Sequence, residues 1–194
     1  MKHPLHVCGT AAALLLGLVG PVSGSEPSYS DENSRSPWLP QRWFIQGGTA
    51  SEVRTLSLGL TWESSRHWEV IEGTRLNVLT EVSLGRWHAE GHPSGNTTNT
   101  QIGLTPTLRL TSQGRPGWFV EIGIGVNLIV PIYESNQRRF STAFNFGDHI
   151  GVGLRPFGAK GPEFALRYQH FSNAGIKHPN PGENFVQLRW SQPF

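Results

Sequence analysis

Gly117-Trp118-Phe119-Val120-Glu121-Ile122-Gly123-Ile124-Gly125-Val126-Asn127-Leu128-Ile129-Val130 decides the fold by its period. Trp118, Val120, Ile122, Ile124, Val126, Leu128 and Val130 share one side, while Glu121, Gly123, Gly125 and Asn127 share the other. A repeat of two residues belongs to a β-strand, not to a helix. The segment is apolar on one face and small or polar on the other. It is also long enough to cross a bilayer when tilted, for which about ten residues suffice.

The same alternation recurs on both sides of this stretch. Arg54 to Trp62, Thr74 to Trp87, Gln101 to Leu110, Asn145 to Arg155, Glu163 to Asn173 and Asn184 to Phe194 all repeat it, and Gln41 to Ala50 follows it less regularly. Eight strands are therefore expected, with an irregularity at Pro106, which has no N–H to give a ladder. No helical period of comparable strength appears after residue 40. Arg75, Glu81, Arg109, Glu121, Arg155, Arg167 and Arg189 lie on the small, polar side.

Two architectures bury such strands. A soluble sandwich hides the apolar face, whereas a membrane barrel turns it outward to lipid and keeps the polar face inside. Four observations favour the barrel. The strands are of spanning length, and glycines sit beside the inward charges, where a narrow interior needs them. Trp62, Trp87, Trp118 and Trp190 fall near strand ends like an interfacial belt. The chain ends on an aromatic residue, Phe194. The expected fold is all-β, an eight-stranded antiparallel transmembrane β-barrel of the outer-membrane type spanning residues 41–194.

The N-terminus fits that compartment. Lys2 and His3 precede an apolar run from Ala11 to Val19 and the small residues Val22-Ser23-Gly24, the pattern of a secretory signal peptide over residues 1–24. Residues 25–40, rich in Ser, Pro, Glu and Asp, read as an N-terminal leader. The single cysteine, Cys8, lies in the signal segment, so the mature domain has neither a disulfide nor a thiolate metal site. A net charge of +2 gives no argument for a nucleic-acid partner.

Closing eight strands puts both termini on the periplasmic side. The outer connections then fall around Ser51, His88 to Asn99, Pro131 to Ala143 and Ala174 to Glu183. Ser112 to Pro116 and Phe157 to Gly161 are periplasmic turns. Glu63 to Gly73 is long for such a turn, and part of it is expected to extend the strands.

His170 and Ser172 share parity with Leu166 and Tyr168, which turns them toward lipid at the outer end of the seventh strand. Polar groups facing a bilayer are costly and point to function by default; the alternative is simple solvation at headgroup level. A His beside a Ser is the pairing that activates a weak hydroxyl nucleophile. Its substrate would be a lipid of the outer leaflet, mainly lipopolysaccharide, approached sideways, and its chemistry ester hydrolysis through an acyl-enzyme. The backbone of Asn173 to Gly175 and the side chains of Asn173 and Asn180 are available as oxyanion donors.

His170-Phe171-Ser172-Asn173-Ala174-Gly175-Ile176-Lys177, followed by Pro179-Asn180-Pro181-Gly182, resembles the signature of the PagL family, the outer-membrane lipid A 3-O-deacylases. Leu56 to Trp62, Val120 to Val126 and Asn145 to Leu154 are similar to that family too, so the resemblance covers most of the mature chain. It implies an eight-stranded barrel, metal-independent serine hydrolysis with no cofactor, and removal of the ester-linked acyl chain at the 3-position of lipid A. It implies a Ser-His-Glu triad on the lipid-facing outer surface, with His170 and Ser172 as two of its members. Asn173, Gly175 and Asn180 match positions associated with oxyanion stabilisation and site geometry. Lipid A within lipopolysaccharide and the surrounding outer-membrane lipid are the implied partners, and a homodimer is compatible with them.

The chain departs from the family at the acid. A gapless match puts Asn184, not Glu183, at the acid position, and strand parity agrees, because Asn184 is in register with Val186, Leu188 and Trp190. Either a one-residue bulge lets Glu183 serve, or Asn184 orients the imidazole without a charge, as in Cys-His-Asn enzymes. Glu183 is the expected orienter, since a serine needs more help than a cysteine. Lys177, Arg138 and Arg139 in outer loops are candidates for contact with lipid A phosphates or are simple solubility charges. His149 faces inward, and the spacing of His88, His92 and His178 makes no convincing metal site. Two rivals stand beside the deacylase reading. One is a non-catalytic structural or adhesion barrel, which has no reason to carry a lipid-facing His and Ser; the other is a small pore.

Overall fold

The computed structural model describes residues 38–92 and 95–194, apart from the side chains of 91–96. The signal segment 1–24 and the leader as far as residue 37 lie outside the described residues. Eight strands follow in order: β1 (Arg42–Thr49), β2 (Val53–Ile71), β3 (Thr74–His92), β4 (Gly95–Ser112), β5 (Gly117–Val130), β6 (Phe144–Arg155), β7 (Glu163–Ser172) and β8 (Glu183–Pro193). Each pairs antiparallel with its neighbour, and β1 pairs with β8 to close a barrel. Closure leaves no free sheet edge, which is the condition for a sheet to sit in lipid.

The alternation decides which way the barrel faces. Leu58, Leu84, Ile102, Ile122, Val152, Leu188 and their neighbours of the same parity stand exposed on the outside. A continuous apolar surface of this kind suits lipid rather than water. The inside is packed with charge: Glu81 holds Arg167 and Arg189, each at 2.8 Å, and Glu121 holds Arg167 at 2.6 Å and Arg109 at 2.8 Å. Glu163 takes Arg109 at 2.9 Å and Arg155 at 3.3 Å. Charges buried in this way persist only when paired, as these are. Paired side chains cross the interior, as expected of eight strands, which argues against the pore.

Several expectations change in detail. Glu63 to Gly73 extends the strands further than the expected part: β2 and β3 run on to a tight connection at Glu72-Gly73, with a register shift between Glu63 and His67. His88 to Asn99 is mostly hairpin, since Ala89 still pairs with Thr97. Cross-strand hydrogen bonding continues these strands beyond their apolar runs, where the side-chain pattern no longer marks them. At Thr105 and Pro106 the β4–β5 pairing is interrupted and then resumes in the same register, as a residue without an N–H requires. Trp62, Trp118 and Trp190 lie toward the periplasmic end, where Trp43 and Trp190 stack edge to face at 4.9 Å. Trp87 is not part of that belt. It shares parity with Glu81 and Gly85, points inward and is 1% exposed.

Trp87 instead centres an aromatic plug in the outer mouth. It meets Phe185 at 4.8 Å, Phe171 at 4.9 Å, Tyr133 at 5.4 Å and Phe140 at 6.4 Å, all edge to face. Tyr133 and Phe140 come from the connection between β5 and β6, which folds into the barrel. Phe171 and Phe185 are the inward neighbours of His170, Ser172 and Asn184. The plug therefore packs behind the outer ends of β7 and β8, where the candidate residues stand on the opposite face.

Candidate active site

Strand register assembles the site. His170 on β7 lies directly across from Asn184 on β8 and from Asp148 on β6, while Ser172 lies across from Phe146. Alternation puts all five side chains on the outer, lipid-facing surface. His170, Asp148 and Asn184 form one row above Tyr168, Val186, Ile150 and Leu166, and Ser172 lies at the outer end of β7. His170 Nδ1 is 2.7 Å from Asn184 Oδ1. With Nδ1–H as the donor, Nε2 carries the free lone pair, the tautomer that general-base work requires.

Glu183 does not reach the imidazole. The β7–β8 ladder runs through Phe171↔Glu183 and His170↔Asn184 without a shift, so no bulge brings Glu183 to the outer face. Its side chain is buried in the mouth of the barrel. Glu183 Oε2 accepts the Tyr133 hydroxyl at 3.0 Å, and Oε1 lies 3.6 Å from Arg138 Nη1. Burial is the main cause that raises the pKa of Tyr133, so the phenol stays a donor to this carboxylate. Arg138 also donates to the Gly182 carbonyl at 2.7 Å. The residue expected to orient the histidine is thus part of a strut that ties the folded-in loop to the start of β8, and Asn184 makes the contact to the ring. Arg138 is committed to that strut, and Arg139 is 3.9 Å from Glu134.

Gly182 has a second function. Its φ is +66°, and a Cβ there would come within 2.6 Å of His170 Cε1. Only glycine meets the backbone conformation and leaves room for the imidazole.

The turn after Ser172 is held from within. Asn173 is 1% exposed. Its Nδ2 donates to Lys177 O at 2.8 Å, Ser141 Oγ at 2.9 Å and Thr142 Oγ1 at 3.2 Å. Its Oδ1 accepts Gly175 N–H at 3.0 Å, and its own N–H goes to Asn180 Oδ1 at 3.0 Å. The expected oxyanion donors on Asn173 and Gly175 are therefore spent on the turn, and Asn180 caps it. The amide left near the nucleophile belongs to Ala174, which reaches Ser172 Oγ over a long 3.4 Å. Ala174 adopts φ +53°, a left-handed conformation uncommon for a residue with a Cβ, and such outliers gather at functional sites.

Sequence reading brought His170, Ser172 and Asn184 together and included the Ala174 amide in the Asn173 to Gly175 backbone, but it missed Asp148 and the room that Gly182 leaves for the imidazole. The parity of Asp148 with Phe146 and Ile150 was visible along the chain. Its placement opposite His170 depends on the β6–β7 register, which parity does not specify.

The family model described as lipid A 3-O-deacylase (PagL) matches residues 54–193. A curated relative, lipid A deacylase PagL of Bordetella bronchiseptica, is 38% identical over 122 residues, covering 62% of this chain and 64% of that protein. The protein of the same name from Pseudomonas aeruginosa is 29% identical over 151 residues, covering 76% of this chain and 83% of its own length. A solved structure described as the outer membrane enzyme PagL superposes with a TM-score of 0.69 at 26% identity, covering 79% of this chain and 99% of that one.

Proposed function

The chain belongs to the PagL family of lipid A 3-O-deacylases, and from that premise we propose that this barrel sits in the outer membrane and hydrolyses the ester-linked acyl chain at the 3-position of lipid A, with Ser172 as nucleophile, His170 as general base and Asn184 as orienter. The observation that carries the reading is the His170–Asn184 contact of 2.7 Å on the lipid-facing surface, two residues along the strand from Ser172. An inert barrel has no use for a tautomer-fixed imidazole facing lipid.

The substrate ester enters sideways from the outer leaflet. Ser172 Oγ attacks its carbonyl carbon while the hydroxyl proton passes to His170 Nε2. Hydrogen bonds of this kind are commonly long in a substrate-free site and tighten in the complex. The resulting oxyanion is met by the Ala174 N–H, with the Asn180 amide group beside it. Collapse expels the sugar 3-oxygen, which takes the proton back from His170 and leaves as a hydroxyl. Water then attacks the acyl-serine with His170 again as base, releasing the fatty acid and restoring Ser172. Every group in this sequence comes from one chain, so the chemistry does not require a homodimer.

Mass spectrometry of lipid A from an outer-membrane host tests the reading. Wild type is expected to remove one 3-hydroxy acyl chain, and Ser172→Ala and His170→Asn to leave lipid A intact. Intact lipid A in cells carrying folded wild-type protein and a 3-O-acylated substrate refutes it.

A further inference from the structure

Asp148 is out of place on its strand. The lipid-facing column of β6 reads Phe144, Phe146, Asp148, Ile150, Val152, Leu154, and the carboxylate is its one polar member. Asp148 is exposed, and among the described residues its carboxylate has no hydrogen bond or ion pair. An acidic group on the lipid face costs free energy. A substrate bearing lipid A phosphates makes it worse, because the carboxylate repels them unless something positive stands next to it. His170 stands next to it, as its direct cross-strand partner. Residues so placed have Cβ atoms about 4.5–5.5 Å apart.

The other side of the imidazole lacks a charge. Asn184 fixes the ring but is neutral, and Glu183 is turned into the barrel against Tyr133 and Arg138. The other ionisable groups nearby in the fold are the neutral phenol Tyr168 on the same face of β7, Lys177 and His178, exposed in the turn that follows, and Arg138, which is bound to the Gly182 carbonyl. Among the described residues, Asp148 is thus the carboxylate on the His170 face of the sheet, where a positive charge develops.

We propose that Asp148 is a positioning residue of the reaction: its carboxylate, set across the β6–β7 ladder from His170, stabilises the imidazolium that forms when His170 takes the Ser172 proton, a task neutral Asn184 cannot perform. The orienting and charge-stabilising roles that one acid combines in a Ser-His-Glu arrangement are here divided between residues on two strands flanking the histidine. This inference rests on the deacylase reading above.

The test is release of 3-hydroxy fatty acid from purified lipid A by detergent-folded protein, with kcat and KM followed across pH. Wild type and Ser172→Ala come first. If wild type is inactive, both readings fall; if it is active and Ser172→Ala is not, the outcomes below bear on Asp148 alone. Asp148→Asn is expected to lower kcat about tenfold at unchanged KM, and Asp148→Glu to keep most of it. A nearby anion favours the charged imidazole, so removing it is expected to move the acidic limb of the kcat/KM profile to lower pH. Asn184→Glu supplies a charge from the other side, and in that background Asp148→Asn should cost less than twofold. Wild-type kcat and an unmoved acidic limb in Asp148→Asn would overturn the proposal. So would a loss of the same size in the Asn184→Glu background, because a merely structural role does not depend on the neighbouring charge.

Discussion

Exchanging Glu183 for Gln separates the strut from the catalytic array. The side chain of Glu183 is 2% exposed, accepts the Tyr133 hydroxyl at 3.0 Å and faces Arg138 at 3.6 Å. Gln keeps the shape and one acceptor but loses the charge. A hydrogen bond to a charged group contributes about 1.5–3 kcal/mol against about 0.5–1.5 for a neutral one, so the exchange should cost about 1–2 kcal/mol. For a barrel of this size that is a fall of roughly 2–8 °C in apparent Tm. The imidazole contact is untouched, and kcat should stay within about threefold of wild type. Asn184→Ala reverses the pattern. It removes the 2.7 Å contact to His170 Nδ1, which becomes charge-assisted when the ring is protonated. At about 1.5–3 kcal/mol, that bond corresponds to roughly 10- to 150-fold in kcat. The two variants are compared by fatty-acid release and by thermal unfolding in one detergent. A hundredfold loss of kcat in Glu183→Gln at unchanged Tm, with Asn184→Ala near wild type, would make Glu183 the orienter and refute the register argument.

Gly182→Ala should place a methyl within 2.6 Å of His170 Cε1 on a backbone at φ +66°, lowering kcat at least tenfold and stability by about 1–2 kcal/mol. Gly175→Ala, at φ +81° with open space around it, carries similar backbone strain without meeting the ring, and its loss of kcat should be at least fivefold smaller. Trp87→Ala empties the centre of the plug and should cost about 3–5 kcal/mol, read as a lowered unfolding midpoint in detergent; an unchanged midpoint would show that the plug does not hold β7 and β8.

Much of this molecule is readable along the chain, because alternation is a property of one strand at a time. The period of Gly117–Val130 and its repeats specified eight strands and the side each residue faces, hence the lipid-facing His170 and Ser172 and the parity that favours Asn184 over Glu183. The weight given to Glu183 came from chemical demand on the serine, and the uninterrupted β7–β8 register removes it from the ring. The tertiary structure alone decided what stands across from what. Parity does not say that Asp148 pairs with His170, since register depends on turns and on how the barrel closes. Nor does it say that the connection after β5 enters the mouth and gives Tyr133 to Glu183. The amides of Asn173 and Gly175 are held within the turn for a related reason: a backbone amide is free only after the turn has met its own hydrogen-bonding needs, and those are settled between residues far apart in the chain.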